Sequence, residues 1–307
     1  MGGEAVSEED KDATMAKLRE ELEATKDVKG AKKKTVPHEF SFDRIFSHNM
    51  NQESIFEEVS QLVQSALDGY RVCIFAYGQT GSGKTYTMEG DASEHTKRGI
   101  IPRSIEHVYM TSEDLKEKGW EYKMEARYLE IYNENIRDLL ASDDSLKYEI
   151  KMVGNGKTNS DSEVTVTNLK VIPVDNEKQV LSLLKTAAQN RSVGATKWNE
   201  RSSRSHSLFI LKISGENTIT DEKCQGTLNL IDLAGSERIS QSGAEGKRLK
   251  ETKNINTSLS NLSNVIMALA NKDILQIGAA FSSYADIDSA KKDHEEQHAC
   301  KLIKKRV

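Results

Sequence analysis

Apolar positions at strand and helix spacing occupy the middle of the chain and thin out toward both ends. Residues 1–35 are polar and charged, with Met15, Leu18 and Leu22 at helical spacing, which predicts a helical or unfolded stalk remnant. Pro37 and the alternating Phe40 and Phe42 predict a strand over 38–43. Ile55, Val59, Leu62, Val63, Ala66 and Leu67 fall on one face of a helix that Ser54 would cap and Gly69 would stop. A strongly apolar strand over 72–77 leads into a glycine-rich loop and another helix, and Pro102 opens a helical stretch toward Leu115. Alternation from 120 to 132 predicts a long strand, followed by a short helical turn over 136–140. Residues 141–163, rich in Ser, Asp, Asn and Gly, read as a surface loop or hairpin. An amphipathic helix over 177–190, strands over 207–216 and 226–232, and a helix from about 255 to 270 follow. The pattern dissolves after Asp273, and 274–307 reads as a low-complexity charged tail with poor order. The expected division is therefore 1–35, 36–273 and 274–307.

Composition narrows the class. The chain has 307 residues, 36% hydrophobic and 30% charged, enough for one large α/β domain with a lean core. Cys73, Cys224 and Cys300 are too few and too scattered for a disulfide framework or a zinc site, which predicts a reducing, intracellular setting. No apolar run approaches the roughly 20 residues a bilayer span needs, so no membrane partner is expected. The net charge of −5 argues against indiscriminate nucleic-acid binding. His294 and His298 satisfy an H-E-x-x-H spacing, but the tail offers no apolar face to hold a zinc site.

Chemistry enters at residues 78–85, Gly78-Gln79-Thr80-Gly81-Ser82-Gly83-Lys84-Thr85, a complete G-x-x-x-x-G-K-[ST] loop between strand and helix. Glycines there let backbone N–H groups crowd around phosphate oxygens, and the helix start faces the same charge. Lys84 would reach the β- and γ-phosphates, and the Thr85 hydroxyl would ligate Mg²⁺. Two further segments accompany the loop. One runs from Asn199 through Ser202, Ser203 and Arg204 to His206, between a helix and a strand. The other is Asp232-Leu233-Ala234-Gly235-Ser236-Glu237-Arg238, at a strand end. A strand ending in Asp is where such a loop protein holds magnesium, and the glycine beyond it leaves a bare N–H for a γ-phosphate. The fold class that follows is α/β, a P-loop NTPase-type, mostly parallel central sheet flanked by helices.

N-x-x-S-S-R-S-H with D-L-A-G-S-E-R, behind G-Q-T-G-S-G-K-T, resembles the kinesin motor family. Residues 66–70, 128–134 and 248–252 are similar to its minus-end-directed, C-terminal-motor members, plant ones in particular, and the likeness covers roughly 38–272. The resemblance implies ATP hydrolysis driving movement along microtubules. It implies that 78–85 cradle the phosphates and that Tyr86 stacks near the adenine. It places Ser203 with Thr85 on Mg²⁺, and Asp232 behind a water. The Gly235 amide would sense the γ-phosphate, Arg204 and Glu237 would pair across two switch loops, and Asn199 and Ser202 would place the attacking water and phosphate oxygens. ATP and Mg²⁺ are the implied cofactors, and the cytoplasmic microtubule cytoskeleton the implied location. Microtubules are the implied partner, through Lys247, Arg248, Lys250 and Lys253, with a stalk-mediated dimer.

Two departures from the family pattern carry their own expectation. The internal strand expected between Gly30 and Ala31 is absent, and after Asp273 the family's further helices and strand are replaced by the charged tail. By the family's strand order, both gaps lie beside the strand over 72–77 and would leave it with an unpaired edge. Each buried orphan backbone group costs about 1–3 kcal/mol, against a domain stability of about 5–15 kcal/mol. The helix over 255–270 would also lose its bracing. A second reading therefore stands beside the motor: a truncated, catalytically impaired kinesin-like chain acting as a nucleotide-, tubulin- or stalk-binding module, or a degenerate gene product, with little stimulation of hydrolysis by microtubules.

Overall fold

The computed structural model describes residues 42–47, 49–91, 93–141, 145–153, 163–193, 201–237, 247–270 and 299–304. Phe46–Val307 form one compact unit, and of the other, Met1–Ile45, the described residues begin at 42. The expected helical stalk lies outside the described residues, and so does most of the strand over 38–43, of which Phe42 and Asp43 are in no strand.

The first helix, α1 (Gln52–Leu67), starts two residues before its expected cap. Asn51 is the capping residue, its side chain accepting from the Ser54 N–H at 2.9 Å. Strand β1 (Arg71–Tyr77) runs into the loop and a five-residue helix α2 (Lys84–Met88). Next come α3 (Ile100–Lys116) and the long strand β2 (Trp120–Tyr132). The predicted helical turn over 136–140 is instead strand β3 (Asn135–Asp138), paired antiparallel with β2. Asn133 and Glu134 both take positive φ, 48° and 63°, so the two-residue turn between the strands matches their twist and drives a hairpin where spacing alone reads helix. Strands β4 (Ile150–Val153) and β5 (Glu163–Val166) make the hairpin expected in the polar segment. Then follow β6 (Ile172–Pro173), α4 (Glu177–Val193), β7 (Ser205–Asn217), β8 (Lys223–Asp232) and α5 (Lys247–Ala270). The last described element is β9 (Ala299–Lys304).

The main sheet among the described residues has seven strands in the order β3-β2-β7-β8-β1-β9, with β6 beside β2. It is mixed rather than mostly parallel: β1 runs parallel to β8 and β9, while β2, β3, β6, β7 and β8 join antiparallel. The reason is local. β7 and β8 are joined by a tight turn over 218–222, where Asn217 Oδ1 accepts from the N–H groups of Ile219 and Thr220 at 2.9 and 3.1 Å. A connection that short can only return antiparallel.

Period-two alternation puts β1 side chains on both faces. Val72, Ile74 and Ala76 join Val59, Val63, Ile105, Val108, Leu228 and Leu230 in the larger core. Cys73, Phe75 and Tyr77 pack against a smaller one made by Ile231, Leu233, Ala234, Ile255 and Leu259. Burying each of those aliphatic side chains contributes about 1.5–3 kcal/mol. The N-terminal part of α5 is therefore braced by the sheet, contrary to the expectation of an unsupported helix, whereas Met267 and Leu269 near its end are exposed.

The edge of β1 expected to be unpaired carries β9. Val72 aligns with Ala299 and Tyr77 with Lys304, in parallel register. The pairing is made by backbone groups, and the segment itself, Ala299-Cys300-Lys301-Leu302-Ile303-Lys304, is apolar at four of its six positions. This corrects the expectation of poor order for 299–304; residues 271–298, including the H-E-x-x-H spacing, lie outside the described residues. The register sets Cys73 opposite Cys300.

Candidate nucleotide site

The site is built where β1 and β8 end and β7 begins. Beyond Tyr77 the chain turns through Gly81 and Gly83, both at φ 81°, a conformation that strains any residue with a Cβ. Gly83 is the N-cap of α2, and with only five residues in that helix the loop's own amides carry most of the anion-binding capacity. Lys84 is 7% exposed and its Nζ donates to the Gln79 carbonyl at 3.0 Å. Burial pulls its pKa down, and the carboxylates of Asp232 and Glu237 push it back up. Tyr86 is exposed beside the loop, with its carbonyl accepting from Gln52 Nε2.

Asp232, the last residue of β8, is nearly fully buried. Its Oδ2 accepts from the Thr85 hydroxyl at 2.6 Å, and its Oδ1 is buried without a hydrogen-bond partner among the described residues. Burial raises its carboxyl to about 6, opposed by the Thr85 hydrogen bond, Arg191 and Lys84 and reinforced by Glu89. An unsatisfied buried carboxylate oxygen beside a hydroxyl is hard-oxygen chemistry that fits Mg²⁺. The Ser203 carbonyl accepts from the Gly235 N–H at 2.7 Å, which ties the segment before β7 to the segment after β8.

Two expected details differ. The Gly235 amide, expected to stand open toward a phosphate, is engaged by Ser203. A Cβ there would lie 2.3 Å from Glu237 Oε2 and 2.5 Å from Thr80 Oγ1, so any larger residue would push the Glu237 carboxylate off Thr80. The Arg204–Glu237 pair is not formed. Glu237 instead accepts from the Thr80 N–H at 3.0 Å and the Thr80 hydroxyl at 2.7 Å. Burial raises the Glu237 carboxyl, but those bonds and Lys84 outweigh it and leave the group below its usual range. Arg204, on the short 3-10 turn Arg201–Arg204, reaches Glu251 of α5 at 3.5 Å. Each charge thus meets a partner from a segment distant in sequence: a donor pair in the phosphate loop for Glu237, and a carboxylate of α5 for Arg204. Asn199 and Arg238 lie outside the described residues, as does the side chain of Ser202; Lys250 and Lys253 are exposed on α5.

Sequence reading passed over a charged cluster behind Asp232. Arg191, near the end of α4, is 7% exposed and lies 3.5 Å from Glu130, 3.7 Å from Glu89 and 3.9 Å from Asp232. The clue was available: Met124, Ala126, Tyr128 and Glu130 share one face of β2, so an acid ends an otherwise inward-facing row. His206 was also passed over. Its Nδ1 accepts from the Ala234 N–H at 3.2 Å, and its Nε2 lies 3.0 Å from Ser258 Oγ on α5.

The kinesin motor domain profile matches residues 3–288. Kinesin-like protein KIN-14N of Oryza sativa subsp. japonica is 55% identical over 243 residues, covering 77% of this chain and 31% of its own length. Carboxy-terminal kinesin 2 of Xenopus laevis is 54% identical over 246 residues, covering 79% of this chain and 38% of its own length. The chain thus spans about a third of the relatives it matches. The motor domain of the Saccharomyces cerevisiae kinesin-related protein Kar3 superposes with a TM-score of 0.69 at 43% identity, over 87% of this chain and 79% of that one.

Proposed function

The chain belongs to the kinesin family, and from that premise we propose that it hydrolyses ATP with Mg²⁺ to drive movement along microtubules. The observation that carries the reading is the meeting of three segments far apart in sequence: Lys84 and Thr85 from the loop, Ser203 before β7, and Asp232, Gly235 and Glu237 after β8. Lys84 and the loop amides bind and orient the β- and γ-phosphates. Thr85 and Ser203 are the hydroxyls that would hold Mg²⁺, with Asp232 supporting that side through water, and Tyr86 is the residue that would meet the adenine. Bound Mg²⁺ supplies charge neutralisation on the phosphates. Asn199 and Ser202 keep the water and phosphate oxygens placed, and Arg204, Gly235 and Glu237 are the residues that close the site. Such a cage works by positioning and electrostatics.

Residues 36–273 act as the motor domain, in the cytoplasmic microtubule cytoskeleton, and 1–35 are the remnant of a stalk, too brief to dimerise alone, that would contribute to a stalk-mediated dimer. Lys247, Arg248, Lys250 and Lys253 of α5 face the acidic partner. The impaired-module reading drew on an unpaired β1 edge and an unbraced α5, and β9 and the smaller core supply both contacts. The test is steady-state phosphate release by the purified chain with and without polymerised tubulin. Stimulation of tenfold or more, about 1.4 kcal/mol of coupling, is expected. ATP binding without tubulin-dependent turnover would overturn the motor reading and leave a binding module.

A further inference from the structure

Five elements converge behind the metal-side carboxylate of the site, and one side chain joins them. Arg191 projects from α4 with its Nη1 facing Glu89, just beyond α2, and Asp232, at the end of β8. Its Nε faces Glu130 of β2, and its Nη2 donates to the Ser205 hydroxyl, at the start of β7, at 3.2 Å. Arg191 and Asp232 are nearly fully buried, and Glu130 is entirely so. Glu89 is further held by the Tyr128 hydroxyl, which donates to it at 2.9 Å. A planar guanidinium with donors on several sides is the side chain suited to such a junction, and a lysine cannot span it.

We propose that Arg191 is a positioning residue for nucleotide binding: its charge lets Glu89, Glu130 and Asp232 sit together, and its fork fixes Ser205 and Asp232 relative to one another. It acts through Asp232, which faces Thr85, and through Ser205, two residues after Ser203. Without it, the buried acids Glu130 and Asp232 lose the guanidinium that lies beside them and Glu89, and taking the counter-charge from a buried acid displaces it. The geometry of the site then loosens although every residue of the phosphate loop is intact. The inference rests on the proposed nucleotide function.

The experiment is a double-mutant cycle on the full chain, read by titration of fluorescently labelled ATP in Mg²⁺ and by thermal melting. Arg191→Met is expected to weaken binding tenfold or more. Adding Glu130→Gln, which removes one of the uncompensated acids, is expected to recover at least threefold of that loss. Arg191→Lys, which keeps the charge but not the fork, should fall between wild type and Arg191→Met, and serves if the methionine variant does not fold. A purely structural role for Arg191 predicts additive losses, with the double variant weaker than either single one, and that result would overturn the proposal. So would unchanged affinity in a folded Arg191→Met chain. If wild type and Lys84→Ala bind labelled ATP equally, the nucleotide reading itself fails, which is a separate outcome from additivity in the cycle.

Discussion

Lys84→Ala is expected to weaken ATP binding about a hundredfold or more, roughly 2.7 kcal/mol, without unfolding the chain. The ammonium is buried at the mouth of the loop, where desolvation already disfavours its charge and the carboxylates of Asp232 and Glu237 hold it in place. A phosphate arriving between the loop amides and Nζ adds a closer counter-charge to a largely desolvated ammonium, so the interaction is strong where it forms. Removing the lysine takes a desolvated cation out of the protein, and thermal stability should hold or rise slightly while affinity collapses. Titration of labelled ATP against both proteins, with melting curves alongside, separates the two effects. Equal affinities would remove the loop from the binding site, and GTP binding tighter than ATP would remove the adenine assignment of Tyr86.

What the sequence made legible follows the range of the interactions involved. The loop 78–85 and its flanking strand are contiguous, so spacing and glycine content were enough to place them at a strand's end. The long alternations of β2, β7 and β8 were equally plain, because each strand buries one row against the larger core. Strand direction was not. Whether β7 and β8 run parallel or antiparallel is decided in the turn at 218–222, where the Asn217 side chain closes a return that hydrophobic pattern does not encode. The β2–β3 hairpin hid for a similar reason, since positive φ at Asn133 and Glu134 is a backbone choice without a glycine to announce it. Pairing partners across the site were least legible. Glu237 is 157 positions from Thr80, and Arg204 is 47 from Glu251, so only the folded chain tells which acid meets which donor. Strand β9 is the extreme case: its run of Ala299, Cys300, Leu302 and Ile303 is six residues long and embedded in a charged stretch, too short for its pattern to announce a partner in β1.

Stability should fall with acid through His206. Its Nδ1 accepts from the Ala234 N–H, so the ring proton sits on Nε2 and is directed at Ser258 Oγ, whose own hydrogen goes to the Ile255 carbonyl at 2.8 Å. The neutral ring thereby links the segment after Asp232 to α5, the helix proposed to face tubulin. A second proton on Nδ1 would break the bond from Ala234 and place a charge in a nearly closed pocket. Burial, aided by the nearby Arg191 guanidinium, pushes the pKa down to about 4 from the ordinary 6.5. Between those values the unfolded chain binds a proton that the folded chain does not. The contribution is therefore fully present above about pH 6.5 and is lost as pH falls toward 4, with a slope of at most ~1.4 kcal/mol per pH unit and a total of ~3 kcal/mol. Denaturant melts of wild type and His206→Gln from pH 7 to pH 4 isolate it, because the carboxylates titrate in both proteins. Glutamine can supply the same acceptor and donor without titrating, so the wild type should lose about 3 kcal/mol more than the variant over that window. Parallel stability curves would show that the ring protonates as readily inside the fold as outside it, and that it does not lock α5 to the site in the way these bonds require.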